Sequence, residues 1–176
     1  MLEAIVAVLN PGSGIAAQSH VITRHSPREE RRQLRILVAE DNKVNQLIAV
    51  RLLERRGHLV VVAGNGREAV TALDLEAERF DLVLMDMQMP EIDGFEAVGI
   101  IRKREQLSGI RVPIIALTAH AMKGDEERCL AAGMDGYISK PIHVEQLFAA
   151  IDRVMIAVTR PPERGLLTTH RTVNRF

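Results

Sequence analysis

Asp81-Leu82-Val83-Leu84-Met85-Asp86-Met87-Gln88-Met89-Pro90-Glu91-Ile92-Asp93-Gly94 is the stretch on which the reading of the whole chain turns. Leu82 to Met85 form a short apolar run of the kind expected of a parallel strand buried on both faces. Asp86 ends the run, and Pro90 and Asp93-Gly94 stop the strand and open a turn. A carboxylate at the carboxyl end of a buried parallel strand stands where open α/β sheets place their ligands. Taken alone, Asp86 equally suits a residue that merely breaks a strand, so the flanking sequence has to decide.

Working outward, four more apolar runs alternate with helical patterns. Upstream, Ile36 to Ala39 run straight into Glu40-Asp41-Asn42, and Val44, Leu47, Ile48 and Leu52 follow at helical spacing up to Gly57. Leu59 to Val62 is a second strand, and Asn65-Gly66 turns into a helix carrying Ala69, Val70 and Leu73. Downstream, a helix with Phe95, Val98 and Ile101 leads to a fourth strand, Val112 to Leu117. A helix from about Met122 to Ala132 stops at Gly133, Gly136 to Ile138 is a fifth strand, and Lys140-Pro141 follows. In the last helix Val144, Leu147, Phe148, Ile151, Val154 and Met155 form a stripe read as core. Five strands alternating with five helices predict an α/β, doubly wound, flavodoxin-like domain: one five-stranded parallel sheet with helices on both faces.

The length of 176 residues suits one domain with a full core and hardly two. Apolar residues make up 47% and charged residues 26%, ordinary values for a globular protein, and Trp is absent, so the core must be aliphatic. The single cysteine, Cys129, cannot form an intrachain disulfide, and its helical setting reads as a small core residue. No run approaches a membrane span, and Leu2 to Leu9 is too short for a secretory core, so the expected location is the cytoplasm. Net charge is zero, yet residues 34–156 carry 15 Lys and Arg against 19 Asp and Glu. That mildly acidic body argues against direct nucleic-acid binding.

Residues 1–33 read as an N-terminal extension or linker: Pro11-Gly12-Ser13-Gly14 interrupts it and lacks the Gly-Lys-Ser/Thr of a phosphate loop. Residues 157–176, with four Arg and one Glu, read as a flexible basic tail too short for an output domain. The domain itself is expected over residues 34–156.

In a doubly wound sheet the carboxyl ends of all parallel strands share one edge. Glu40 and Asp41, Asp86, Thr118 and Lys140 are therefore predicted to meet in one crevice. Neighbouring carboxylates do not all stay ionised without a counter-charge, and oxygen-only ligands select a hard divalent cation, Mg²⁺. Singly, each residue has a plainer use: a helix cap for Glu40 or Asp41, a loop hydrogen bond for Thr118, a solvated surface for Lys140. Jointly, the right residue type at four strand ends points to phosphoryl chemistry. No Gly-x-Gly-x-x-Gly follows the first strand, which argues against a dinucleotide site.

Ala39-Glu40-Asp41-Asn42, Met85-Asp86-Met87-Gln88-Met89-Pro90, Leu117-Thr118-Ala119 and Ser139-Lys140-Pro141 resemble the motif set of the response-regulator receiver domain, especially the receivers of hybrid sensor kinases. The resemblance implies that Asp86 accepts a phosphoryl group from a histidine kinase or histidine phosphotransfer protein. It implies Mg²⁺ held by Glu40, Asp41, Asp86 and the backbone carbonyl of Gln88, with Lys140 and Thr118 against the phosphoryl group. It further implies a switch through Thr118 and Tyr137, lifetime tuning by Gln88 and His120, and a cis peptide bond before Pro141. The surface that answers would be the fourth helix, fifth strand and fifth helix, carrying Lys123, Asp125, Glu126, Glu127, Arg128 and Arg153; a homodimer through that face is part of the expectation. Two rival readings are an aspartyl-phosphate phosphohydrolase and a receiver-like module that is never phosphorylated. The first needs an Asp where Gln88 stands; the second usually lacks one of the acidic residues or the lysine, all present here.

Overall fold

The computed structural model describes residues 32–76, 79–119 and 123–159. The expectations for residues 1–31, His120 and residues 160–176 lie outside them. Strands β1 (Arg35–Ala39), β2 (Leu59–Ala63), β3 (Leu82–Asp86), β4 (Ile114–Thr118) and β5 (Gly136–Ser139) form one sheet in the order β2-β1-β3-β4-β5. All four pairings are parallel. Helices α1 (Lys43–Arg55), α2 (Gly66–Glu76), α3 (Gly94–Ser108), α4 (Lys123–Ala131) and α5 (Val144–Thr159) make the crossovers. This is the flavodoxin-like order, with its switch point between β1 and β3.

The sheet separates two cores because strand side chains alternate. Leu37, Val83, Met85 and Ala116 pack beneath α2, α3 and α4, where they meet Ala69, Val70 and Leu73 of α2, Val98 and Ile101 of α3, and Cys129 of α4. Ile36, Val38, Leu84 and Leu117 face the opposite layer of α1 and α5, against Leu53, Leu147, Phe148 and Ile151. Every residue of β3 and β4 is buried, as expected of central strands covered on both faces. Cys129 is buried and unpaired, as its setting predicts.

Two apolar stripes are only partly inward. Helix α1 forms where its spacing predicts, with Gly57 at φ 86 just past its end, yet it buries Gln46, Ala49 and Leu53. Val44, Leu47 and Ile48 are 65%, 53% and 43% exposed. In α5, Leu147, Phe148, Ile151 and Val154 are core, but Val144 is 41% exposed and Met155 only partly covered. Val144 opens α5 and stands with Leu52, Arg55, Arg56 and Phe148 around a groove between α1 and α5. Edge strand β2 likewise leaves Leu59 and Val62 exposed. Periodicity finds helices and strands, but which face is inward depends on the layer laid over it.

Candidate functional site

Register brings the strand ends together. Ala39 pairs with Met85, Asp86 with Leu117, and Thr118 with Ser139, so Glu40, Asp86, Thr118 and Lys140 fall along one edge. The Lys140 amide donates to the Thr118 carbonyl at 2.7 Å, and the peptide bond to Pro141 is cis, as expected. Glu40 does not cap α1: that role belongs to Asn42, whose Oδ1 accepts from the amides of Val44 (2.9 Å) and Asn45 (3.3 Å).

Lys140 joins the acidic groups. Its Nζ is 2.6 Å from Asp86 Oδ2 and 2.7 Å from Glu40 Oε2. Asp86 Oδ1 accepts the Gln88 amide at 3.1 Å, which curls the loop after β3 around the carboxylate. Burial holds the Asp86 carboxyl above the ordinary 3.8; the charge of Glu40 adds to this, while Lys140 and the Gln88 amide oppose it. Burial alone would lower Lys140, but the carboxylates of Asp86 and Glu40 outweigh it and raise the ammonium above its usual 10.5. Glu40, Asp86 and Thr118 are buried polar residues at this edge.

Glu40, Asp41 and Asp86 each offer one ligand atom within 4.8 Å of the others. Glu40 is 1% exposed, and its Oε2, though close to Lys140, has no aligned hydrogen bond. A buried carboxylate oxygen in that condition, beside two more carboxylates and one ammonium, fits a hard divalent cation.

Tyr137 pairs in register with Ala116, two residues before Thr118, and packs partly against the α2–α3 core. Strand alternation puts Ala116 and Thr118 on the same side, so Tyr137 and Thr118 share a face of the sheet. The Tyr137 hydroxyl donates to Glu126 of α4, and that carboxylate, with its charge, raises the phenol above 10.0; Arg153 opposes it. Sequence reading passed over Asn45 and Gln46, which both contact Glu40. No sequence signal marks them, since two polar residues between Val44 and Leu47 are what any helical i, i+3 stripe contains.

The response regulator receiver domain model matches residues 36–152, and the chain belongs to that family. It is 42% identical over 121 residues to hybrid signal transduction histidine kinase I of Dictyostelium discoideum, covering 67% of this chain and 7% of that protein. Histidine kinase 1 of Arabidopsis thaliana is 35% identical over 159 residues, covering 73% and 13%. The chain therefore spans a small fraction of the curated relatives it matches. Among solved structures, the receiver domain of the sensor histidine kinase PA1611 from Pseudomonas aeruginosa, with magnesium coordinated in its active-site cleft, has 40% identity and a TM-score of 0.62. That match covers 70% of this chain and 98% of the other. The receiver domain of Ssk1, crystallised with the phosphotransfer protein Ypd1 from Saccharomyces cerevisiae, has 29% identity and a TM-score of 0.67, covering 74% and 94%. The molecule is a receiver domain of a two-component system. Among the described residues no helix is long and apolar enough to cross a membrane.

Proposed function

We propose that Asp86 is the phosphoacceptor of a phosphorelay, with Mg²⁺ at Glu40, Asp41, Asp86 and the Gln88 carbonyl, in a domain spanning residues 34–156. The observation that carries the reading is a buried Asp86 at the end of β3, 2.6 Å from Lys140 and grouped with two further carboxylates. An Asp86 oxygen attacks phosphorus, the phosphorus–nitrogen bond of a phosphohistidine breaks, and the leaving imidazole takes up a proton. Bound Mg²⁺ supplies positive charge to the phosphoryl oxygens. Lys140 moves from bridging two carboxylates to neutralising the transferred group, and Thr118 donates its hydroxyl to a phosphoryl oxygen. Gln88 and His120 tune how long the acyl phosphate survives. Activity as a phosphohydrolase is the weaker reading, since Gln88 cannot serve as a general acid.

The donor is a histidine kinase or histidine phosphotransfer protein, in keeping with the Ypd1 complex of the Ssk1 neighbour. Its docking face is the exposed Val44, Leu47 and Ile48 stripe of α1, which begins three residues after Asp41 at the edge that carries Asp86. Phosphorylation releases Tyr137 from Glu126 as Thr118 turns to the phosphoryl group, so the α4-β5-α5 surface changes for a partner or a second copy. The setting is cytoplasmic. With acetyl phosphate and Mg²⁺ the protein gains one phosphoryl group and Asp86→Asn gains none; equal labelling of the variant refutes the assignment. Tyr137 is the single tyrosine and Trp is absent, so tyrosine emission in the same sample reports the switch. Unchanged emission on phosphorylation refutes that part.

A further inference from the structure

Glu40 is held by α1 through contacts unlike those around the other two carboxylates. Its Oε1 accepts from the side-chain amide of Asn45 at 2.9 Å and from the backbone amide of Asn42 at 3.3 Å. Its backbone carbonyl accepts from Gln46 Nε2 at 2.5 Å. Gln46 is buried, and its own oxygen takes a hydrogen bond from Lys43 Nζ at 3.3 Å, which keeps its amide nitrogen turned toward Glu40. The two oxygens of Glu40 are thereby divided. Oε1 is occupied by neutral donors, while Oε2 has only the ammonium of Lys140 beside it and no aligned hydrogen bond.

We propose that Asn45 is a positioning residue of the cation site: it ties down Oε1 of Glu40 so that Oε2 is presented to the metal. The inference rests on the reading of Glu40, Asp41 and Asp86 as the Mg²⁺ site. The need for such a tether is physical. Glutamate carries one more rotatable bond than aspartate, and a buried carboxylate without fixed donors spreads over several rotamers or collapses onto Lys140 with both oxygens. A neutral amide donor orients the group without consuming its charge, which remains available to the cation and to Lys140. Groups that orient a metal ligand from behind commonly carry much of a site's affinity. The placement on α1 matters as well. The same turn presents Val44, Leu47 and Ile48 outward, so the helix that exposes an apolar stripe also holds a metal ligand on its inner side.

The test is a double-mutant cycle on Mg²⁺ affinity in the full chain, read by amide chemical shifts: the parent, Asn45→Leu, Glu40→Gln and the double variant. Leu and Ala both favour a helix more than Asn does, so neither weakens α1 while both remove the donor, and Asn45→Ala is the second variant should the larger Leu pack poorly. Asn45→Leu weakens Mg²⁺ binding about tenfold, the lower end of the loss usual for a ligand's supporting group. Labelling by acetyl phosphate then needs about tenfold more Mg²⁺ to reach half its maximal rate, in step with the lost affinity. In the Glu40→Gln background the same change alters affinity less than about twofold, because Asn45 then has no carboxylate to position. Parent-like Mg²⁺ affinity in folded Asn45→Leu or Asn45→Ala overturns the proposal, as does an equal loss in the Glu40→Gln background. A parent protein whose amides do not respond to Mg²⁺ at all refutes the metal site itself, and with it this inference.

Discussion

Asp86 and Gly94 show how much one position decides. Asp86 is 3% exposed and its carboxyl is raised mainly by burial, so the folded metal-free protein holds that proton more tightly than the unfolded chain. The sign follows from linkage: where the folded state binds more protons, stability falls as pH rises. The contribution of Asp86 is thus most favourable below 3.8 and is lost as pH climbs through the raised value. In urea unfolding without metal, Asp86→Asn should gain on the parent as pH rises through that window. A difference independent of pH contradicts the assignment. At Gly94 a Cβ would overlap the Asp86 carbonyl oxygen and crowd Met87 Cα at 2.8 Å, so only glycine lets α3 begin this close to β3. Gly94→Ala should cost about 2 kcal/mol, the range for an overpacked site. It should also slow phosphorylation, because the loop that must move is the one that carries Gln88. Urea denaturation and acetyl-phosphate labelling measure the two effects.

Between secondary-structure units, a partly buried ionic network lies away from the Asp86 edge. Arg102 of α3 is 15% exposed and donates to the carbonyls of Gly133 (2.8 Å) and Val112 (2.9 Å). It also contacts Glu105 at 2.6 Å and Asp135 at 3.0 Å. Asp135 accepts in addition from the Ile114 amide (2.9 Å) and Arg111 (2.7 Å), so one network pins the starts of β4 and β5 to α3. Arg102→Ala leaves two covered carboxylates and two carbonyls short of a donor and should cost about 3 kcal/mol. Arg111, half exposed, reaches one of the same carboxylates, but Arg111→Ala should cost less than about 1 kcal/mol. Urea midpoints of the two variants compare them directly; equal losses would mean that burial does not set the value of these pairs.

Across the domain, one edge carries the acidic cluster, and the exposed stripe of α1 begins beside it. A small phosphodonor needs only the acidic edge, whereas a protein donor needs the edge and a surface on which to dock. Leu47→Asp places a charge in the middle of that 53% exposed position and should leave labelling by acetyl phosphate unchanged. Transfer from a phosphohistidine protein should fall at least about tenfold, the scale of losing a buried apolar anchor at an interface. Equal transfer from the protein donor would remove α1 from the docking face.

The alternation of apolar runs with helical patterns was legible without coordinates, because the buried central strands β3 and β4 are wholly apolar up to the one polar residue, Asp86 or Thr118, that ends each. So was the gathering of Glu40, Asp86, Thr118 and Lys140, since parallel strands must end on one edge whatever their order. The orientation of α1 was not legible. Its apolar spacing fits an inward stripe, but the helix lies so that Gln46, Ala49 and Leu53 face the sheet. The rotation of a helix about its axis is set by what packs beneath it, and here Gln46 gains the Glu40 carbonyl while Ala49 permits close approach. For the same reason Asn45 and Gln46 read as ordinary surface polar residues in a one-dimensional pattern. Their hydrogen bonds to Glu40 exist only once α1 is laid across the end of β1, which no spacing of residues along the chain encodes.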